Sequence, residues 1–208
     1  MLKKEARQIT GGLSKPSKIP GPCYNLPATQ CITGVKLQAV PGSVCSGCYA
    51  MKGRYRFPNV RMALARRLES LKHPRWVEAM VALIHGEPIM RWHDSGDLQS
   101  AWHLKQIFEV CNRTPETSHW LPTREAKFLP LSPDSIPKNL IIRFSSHMID
   151  QKPVTFWPWT STVQSPDAMR SSHVQDSRPC PARDQGNECK SCRACWDRKI
   201  SNVTYFKH

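Results

Sequence analysis

The sequence has no long hydrophobic run, and none of its apolar stretches approaches the roughly 20 residues of a membrane-spanning helix. Its first residues, Met1-Leu2-Lys3-Lys4, lack the apolar stretch of a secretory signal peptide. Acidic residues are scarce, with 16 against 30 Lys and Arg, which leaves a net charge of +14 over 208 residues. We therefore expect a cytoplasmic protein with no membrane partner that binds a polyanion, for which nucleic acid is the commonest choice.

Three familiar catalytic motifs are also missing. The chain has no phosphate-binding P-loop, no Gly-x-Gly-x-x-Gly fingerprint and no Gly-x-Ser-x-Gly nucleophile elbow. Cysteine, by contrast, is abundant, with nine residues. Because the cytosol keeps thiols reduced, this number indicates metal ligation rather than disulfides.

The spacing of the apolar residues predicts an α/β fold. A helical pattern begins at Asn59, a second amphipathic helix begins near Trp76, and Ser100 is expected to cap a third. Strands are predicted at 88–93, 117–121, 139–144 and 155–160. Helices that alternate with short strands favour a largely parallel sheet, and we expect a small or incomplete β/α barrel.

This pattern divides the chain into three segments. Residues 1–58 are rich in Pro, Gly and Cys, have little regular pattern, and are expected to order around a metal. Residues 59–164 are predicted to form the barrel-like core, and residues 165–208 a second cysteine-rich, metal-binding segment.

The densest cysteine pattern lies near the C-terminus. Cys189, Cys192 and Cys195 follow one another at gaps of two residues, and Cys180 lies nine residues upstream. Four such thiolates suit zinc or an iron–sulfur cluster, and the spacing does not separate the two. His208 is an alternative to one of these cysteines.

A second cysteine group, Cys31, Cys45 and Cys48, lies in the N-terminal segment. Three protein ligands leave one coordination position open for chemistry, whereas Cys23 as a fourth ligand would close the site. Cys111 falls on the apolar stripe of its helix and is expected in the core.

A polar turn follows the first predicted strand, where β/α folds place their active sites. Its carboxylates, Asp94 and Asp97, suit proton transfer, base recognition or covalent attack, while His93 and Gln99 offer further polar contacts. Asp97 also suits a plain helix cap. At the next strand end, Arg124 can bind phosphate or carboxylate, or form a surface ion pair with Glu125.

A basic segment with interleaved aromatic residues follows the Cys45–Cys48 pair. Cations there can contact phosphates and aromatic rings can stack on bases, although a solvated helix face is the alternative for its second half. The predicted nucleic-acid-binding residues are Arg54, Tyr55, Arg56, Arg61, Arg66 and Arg67.

Several motifs occur in an order that resembles the phage-borne gene 88 family. They are Leu13-Ser-Lys15-Pro, Leu26-Pro-Ala, Cys45-Ser-Gly-Cys48-Tyr-Ala, Arg91-Trp-His-Asp-Ser-Gly-Asp97, Trp120-Leu-Pro-Thr-Arg124 and the terminal Cys-x-x-Cys-x-x-Cys-Trp. The resemblance covers nearly the whole chain and implies a phage-encoded protein in the host cytoplasm.

The N-terminal cysteines, followed by Tyr49-Ala50, also resemble the cluster loop of radical-SAM enzymes, with a first gap of 13 residues in place of three. That resemblance implies a 4Fe–4S cluster that binds S-adenosylmethionine, and a second cluster or zinc at the C-terminal cysteines. The stretches Asp94–Gln99 and Leu121–Arg124 are instead similar to tRNA-guanine transglycosylases. This second resemblance implies that Asp94 reads guanine and that Cys189, Cys192, Cys195 and His208 hold zinc.

The sequence therefore predicts an iron–sulfur, radical-SAM-like enzyme that modifies nucleic acid or its bases, DNA in preference to RNA. The first alternative is a DNA guanine transglycosylase-like enzyme with structural zinc, for which Asp97 is the best candidate nucleophile. The second is a zinc-stapled nucleic-acid-binding module without catalysis. The oligomeric state is not predicted.

Overall fold

The computed structural model describes residues 1–166, 168 and 177–207. A seven-stranded sheet in which every strand pair is parallel lies at its centre, in the order β1-β2-β3-β4-β5-β7-β6. The strands are β1 (Cys23–Tyr24), β2 (Ile89–Trp92), β3 (Ser118–Thr123), β4 (Leu140–Ser145), β5 (Thr160–Gln164), β6 (Arg178–Pro179) and β7 (Asn202–Phe206). The predicted α/β class is confirmed, while closure toward a barrel stays a prediction.

Five α-helices accompany the sheet in the described part of the chain: α1 (Lys3–Thr10), α2 (Ile32–Gln38), α3 (Pro58–Ser70), α4 (Trp76–Ile84) and α5 (Ala101–Arg113). Helix α3 begins at Pro58, whose missing N–H is no loss in a first turn. The Ser100 side chain caps α5 by accepting a hydrogen bond from the His103 backbone N–H at 3.0 Å. The three predicted helices are therefore confirmed.

The two faces of the sheet pack against different parts of the chain. Tyr24, Trp92 and Ile142 share one core cluster with Met80 of α4 and Ile107 of α5. Successive residues of a strand point to opposite faces, so their neighbours lie on the other side. There a second cluster joins Cys23, Trp120, Ile141 and Val203 to the cysteine-rich segment around Cys195. That segment is thus packed directly on the sheet.

Helices α1 and α2 in residues 1–58 were not predicted; α1 is stabilised by tertiary packing of Ala6 against Ala79 and Leu83 of α4. One strand prediction is wrong. The strand expected at 155–160 begins only at Thr160, since Pro158 cannot donate a ladder hydrogen bond. No helix in the described residues is long and apolar enough to cross a bilayer.

Candidate functional site

The turn that carries Asp94 and Asp97 follows β2 and packs against the end of β1. Gly96 has a φ of 79°, and a Cβ there would lie 2.7 Å from the Leu26 carbonyl oxygen. Only glycine fits this close approach in the left-handed region. Ser95 completes the contact, because its hydroxyl donates to the Leu26 carbonyl at 2.9 Å. The polar turn expected after the first predicted strand is therefore present.

Asp94 is held by hydrogen bonds with three segments of the chain. Arg91 Nη1 donates to Oδ1 at 2.7 Å and Tyr55 Oη donates to Oδ2 at 2.6 Å. Asn25 accepts the Asp94 backbone N–H at 2.8 Å, and the Tyr49 hydroxyl donates to the Asp94 carbonyl. The position of Asp94 is therefore set by β1, β2 and the basic segment together.

Asp97 is buried at the end of β3 rather than capping α5, so the helix-cap interpretation is wrong. Its Oδ1 accepts hydrogen bonds from Thr123 Oγ1 at 2.6 Å and the Leu98 N–H at 2.7 Å. Its Oδ2 accepts from the Arg124 N–H at 2.9 Å. Burial raises the pKa of Asp97 to about 6, although these donors favour the charged form. Asp97 thus links two strand ends and titrates close to neutrality.

The structure separates His93 from the carboxylates beside it in the sequence. His93 has a φ of 61° and turns into the core, where its ring lies 5.2 Å from that of His103. Its Nδ1 lies 3.1 Å from the Tyr24 carbonyl oxygen, and burial lowers its pKa to about 4. Gln99 stays at the turn and donates to the Asp97 carbonyl at 2.8 Å.

Arg124 and Glu125 have different partners, so the alternative of an ion pair between them is wrong. Glu125 is completely buried and accepts hydrogen bonds from the Thr33 N–H at 2.7 Å and the Thr33 hydroxyl at 2.8 Å. It thereby fixes the start of α2, and with it the neighbouring Cys31, against β3. Arg124 Nε donates to the Ser146 carbonyl at 3.2 Å, at the end of β4.

The three N-terminal cysteines come together at this edge of the sheet. A Cβ on Gly34 would lie 3.6 Å from Cys31 Sγ and 3.7 Å from Cys45 Sγ, so both sulfurs border one glycine. Burial raises the pKa of Cys31, and the neighbouring charges of Asp97, Cys48 and Cys45 raise it further. The predicted cysteine trio therefore lies beside the predicted carboxylate.

Cys23 joins the other cysteine group. Tyr24 of β1 faces the helices, so Cys23 faces the C-terminal segment, packs in its cluster and has Cys189 among its charged neighbours. The alternative that Cys23 closes the N-terminal site receives no support from this placement. Cys111 is buried in the core of α5, as expected.

The four C-terminal cysteines line one cavity of about 10 Å³. Cys195 Sγ lies 3.1 Å from the Tyr205 hydroxyl, and the Cys192 N–H donates to the Cys189 carbonyl at 2.9 Å. His208 lies outside the described residues. Within 1–166, 168 and 177–207, no group of three or more His, Cys, Asp or Glu side chains is arranged to hold a metal ion. Metal binding at both cysteine groups stays a prediction.

Most of the predicted basic segment is exposed. Arg54, Arg56, Arg61 and Arg66 reach solvent, next to exposed rings of Tyr49 and Phe57.

Arg67 is the exception, and its assignment as a nucleic-acid-binding residue is wrong. It is buried because its face of α3 packs beneath α1, where Nε donates to the Gly12 carbonyl at 2.8 Å.

Sequence reasoning also missed Asn25, whose only signal was its place directly after a two-residue strand.

The chain matches the model of the gene product 88 family over residues 1–198. No curated protein and no solved structure matches the chain. The matched range contains both cysteine groups and the Asp94 turn, and it agrees with the resemblance found in the motifs. The chain therefore belongs to the gene product 88 family.

Proposed function

We propose that this protein is an iron–sulfur, radical-SAM-like enzyme that modifies nucleic acid or its bases in the cytoplasm of a host cell, with DNA as the preferred substrate. One observation carries the proposal. Cys31 and Cys45 have Asp97 and Glu125 among their charged neighbours, and Cys45 has Arg124 as well. Asp97 lies in the turn that follows β2, and Arg124 and Glu125 directly follow β3. Ligands and substrates of parallel β/α folds bind at this end of the sheet.

The donor set suits the proposed cluster. Thiolates are the usual ligands of iron–sulfur clusters, and three of them leave one position unfilled by protein. Cys31 and Cys45 border the same glycine, while Cys23 packs with the other cysteine group. A cluster held by Cys31, Cys45 and Cys48 would supply an open iron for S-adenosylmethionine.

The chain's own residues then bind and orient the substrate. Asp94 presents a fixed carboxylate that can accept hydrogen bonds from a nucleobase N–H once the Tyr55 hydroxyl turns away. Among the described residues, Arg124 donates a side-chain hydrogen bond only through Nε, so its terminal amino groups suit a phosphate. Asp97, with a pKa of about 6, can hold or release a proton near the cluster.

The exposed basic segment supports a polyanionic substrate. Arg54 and Arg56 flank Tyr55, whose hydroxyl reaches Asp94, so phosphates bound by these cations would lie close to the turn. The exposed rings of Tyr49 and Phe57 offer stacking surfaces for unpaired bases.

The transglycosylase alternative needs Asp97 as its nucleophile. Both oxygens of Asp97 already accept hydrogen bonds from Thr123 and from the Leu98 and Arg124 N–H groups, which favours positioning or proton transfer over covalent attack. The zinc-stapled module needs no chemistry at the Asp94 turn at all.

Nucleoside analysis tests the proposed activity. DNA and RNA are incubated with anaerobically prepared protein, reductant and S-adenosylmethionine, then digested and analysed by mass spectrometry. We expect a new nucleoside with the wild type that is absent with Asp94→Asn and Cys45→Ala. Incorporation of labelled guanine without S-adenosylmethionine would establish the transglycosylase instead. If the nucleic acid binds the protein tightly but stays unmodified, the zinc-stapled binding module without catalysis is the interpretation that remains.

A further inference from the structure

We propose that Cys180, Cys189, Cys192 and Cys195 bind a single zinc-class ion rather than a cluster, and that this ion fastens the C-terminal segment to the sheet. The proposal goes beyond the N-terminal site and does not depend on it. It assigns zinc binding, and a structural role, to the C-terminal cysteine group.

The size of the cavity is the first argument. Its lining contains all four cysteines together with small or apolar residues such as Ala182, Val203 and Trp196. A volume of about 10 Å³ has room for about one water-sized sphere, which suits one ion better than an assembly of several irons and sulfides. Four thiolates around one ion are the usual ligand set of a structural zinc site.

A buried cation beside the cavity is the second argument. Arg143 is completely buried, and its guanidinium donates to the carbonyls of Cys195, Ala194 and Asp197 at 2.9–3.0 Å. Across the described ranges, Arg143 forms no ion pair with a carboxylate. Six backbone carbonyls accept hydrogen bonds from this guanidinium, and an ion bound by four thiolates would add the net negative charge that favours a buried cation beside it.

The immediate surroundings of the sulfurs are the third argument. The Tyr205 hydroxyl lies 3.1 Å from Cys195 Sγ and would donate to the thiolate. Lys190, with a φ of 44°, turns the backbone so that the Cys192 N–H donates to the Cys189 carbonyl. Such outer contacts orient metal ligands and increase their affinity.

The role of the ion follows from what the segment contacts. Trp196 Nε1 donates to the Met90 carbonyl of β2 at 3.1 Å, and its ring packs edge-on against Trp120 of β3 at 5.1 Å. The Cys189 N–H donates to the Lys18 carbonyl at 2.8 Å. Residues 180–201 have only short 3-10 turns of their own, so metal binding there would contribute directly to folding.

Metal analysis in a Cys45→Ala background tests the proposal separately from the N-terminal site. We expect about one zinc per chain, retained with Cys111→Ala and lost with Cys192→Ser. Cobalt added to the metal-free protein should give the visible absorption of a tetrahedral thiolate site. Iron with sulfide in this background, or zinc unchanged by Cys192→Ser, would overturn the inference even if the N-terminal iron is present.

A milder variant covers the case in which Cys192→Ser does not fold. Tyr205→Phe removes only the hydroxyl beside Cys195, and should weaken zinc binding by about tenfold in competition with a chelator. Tyr55→Phe, at the far site, serves as the matched control and should leave zinc affinity unchanged. Equal zinc affinity of wild type and Tyr205→Phe would count against the site.

Discussion

Buried histidines should make this fold less stable in mild acid than at neutral pH. His93 and His119 lie between the sheet and the helices, and burial lowers the pKa of each to about 4. His93 Nε2 and His119 Nδ1 have no hydrogen-bond partner among the described residues. The unfolded chain protonates both side chains near pH 6.5, so between about pH 6.5 and 4 it binds more protons than the folded state. Stability must therefore fall as the pH drops through this range.

The size of the loss follows from these pKa values. Between pH 7 and pH 5 each histidine lowers the free energy of unfolding by about 2 kcal/mol. Asp97 acts in the opposite direction, because its pKa of about 6 lies above the unfolded value, and it adds about 1 kcal/mol of stability over the same interval. His103, whose pKa burial also lowers, adds to the loss. We expect a net decrease of at least about 2 kcal/mol.

Urea unfolding followed by tryptophan fluorescence at pH 7 and pH 5 measures this difference. His119→Gln keeps a polar group near the Thr114 hydroxyl, which lies 2.9 Å from His119 Nε2 in the wild type, but cannot take up a proton. The variant should lose about 2 kcal/mol less than the wild type on the same change of pH. Equal unfolding free energies of the wild type at the two pH values would refute the reasoning, as would an unchanged loss in His119→Gln.

Three further predictions concern the proposed active site. Gly34→Ala places a methyl group 2.9 Å from Cys31 Cβ and should abolish iron binding. Gly47→Ala, with open space around it, is the control and should keep full iron content. Equal iron content in the two variants would contradict the cysteine geometry. Replacing Arg54 and Arg56 together by Gln should flatten the salt dependence of DNA binding by about one unit per lost phosphate contact, as measured by fluorescence anisotropy; an unchanged slope would remove them from the interface. Asp94→Asn should remove turnover but leave DNA affinity within about twofold of wild type, because the phosphate contacts that position the nucleic acid do not involve the Asp94 turn. Retained turnover would exclude Asp94 from the reaction.

The regular elements of the core were predictable because their signals are local. Apolar spacing fixes α3, α4 and α5, and β-branched or apolar runs mark β2 and β4. Helix α1 has few apolar positions and gains its stability from Ala79 and Leu83, which no local pattern reveals. Strand β5 is rich in Thr and Ser and has no local apolar pattern. It is stabilised by partners distant in sequence such as Asn202, which forms hydrogen bonds with Thr160 and Thr162.

The site was predictable in its residue types more than in its geometry. Spacing grouped the cysteines, but which group Cys23 joins depends on the pairing of a two-residue strand with β2. His93 stands beside Asp94 in the sequence, and one left-handed backbone angle turns it away into the core. Whether the side of α3 that carries Arg67 is buried depends on the packing of α1 against it, which no local sequence pattern indicates.

The sharpest test of the proposed catalytic site is the metal content of the protein purified without oxygen. Iron and inorganic sulfide are counted per chain in the wild type, in Cys48→Ala and in the core control Cys111→Ala. We expect about four irons and four sulfides with the wild type and the control, and the loss of about four of each with Cys48→Ala. Wild-type protein that contains zinc but no iron under these conditions would contradict the radical-SAM-like proposal.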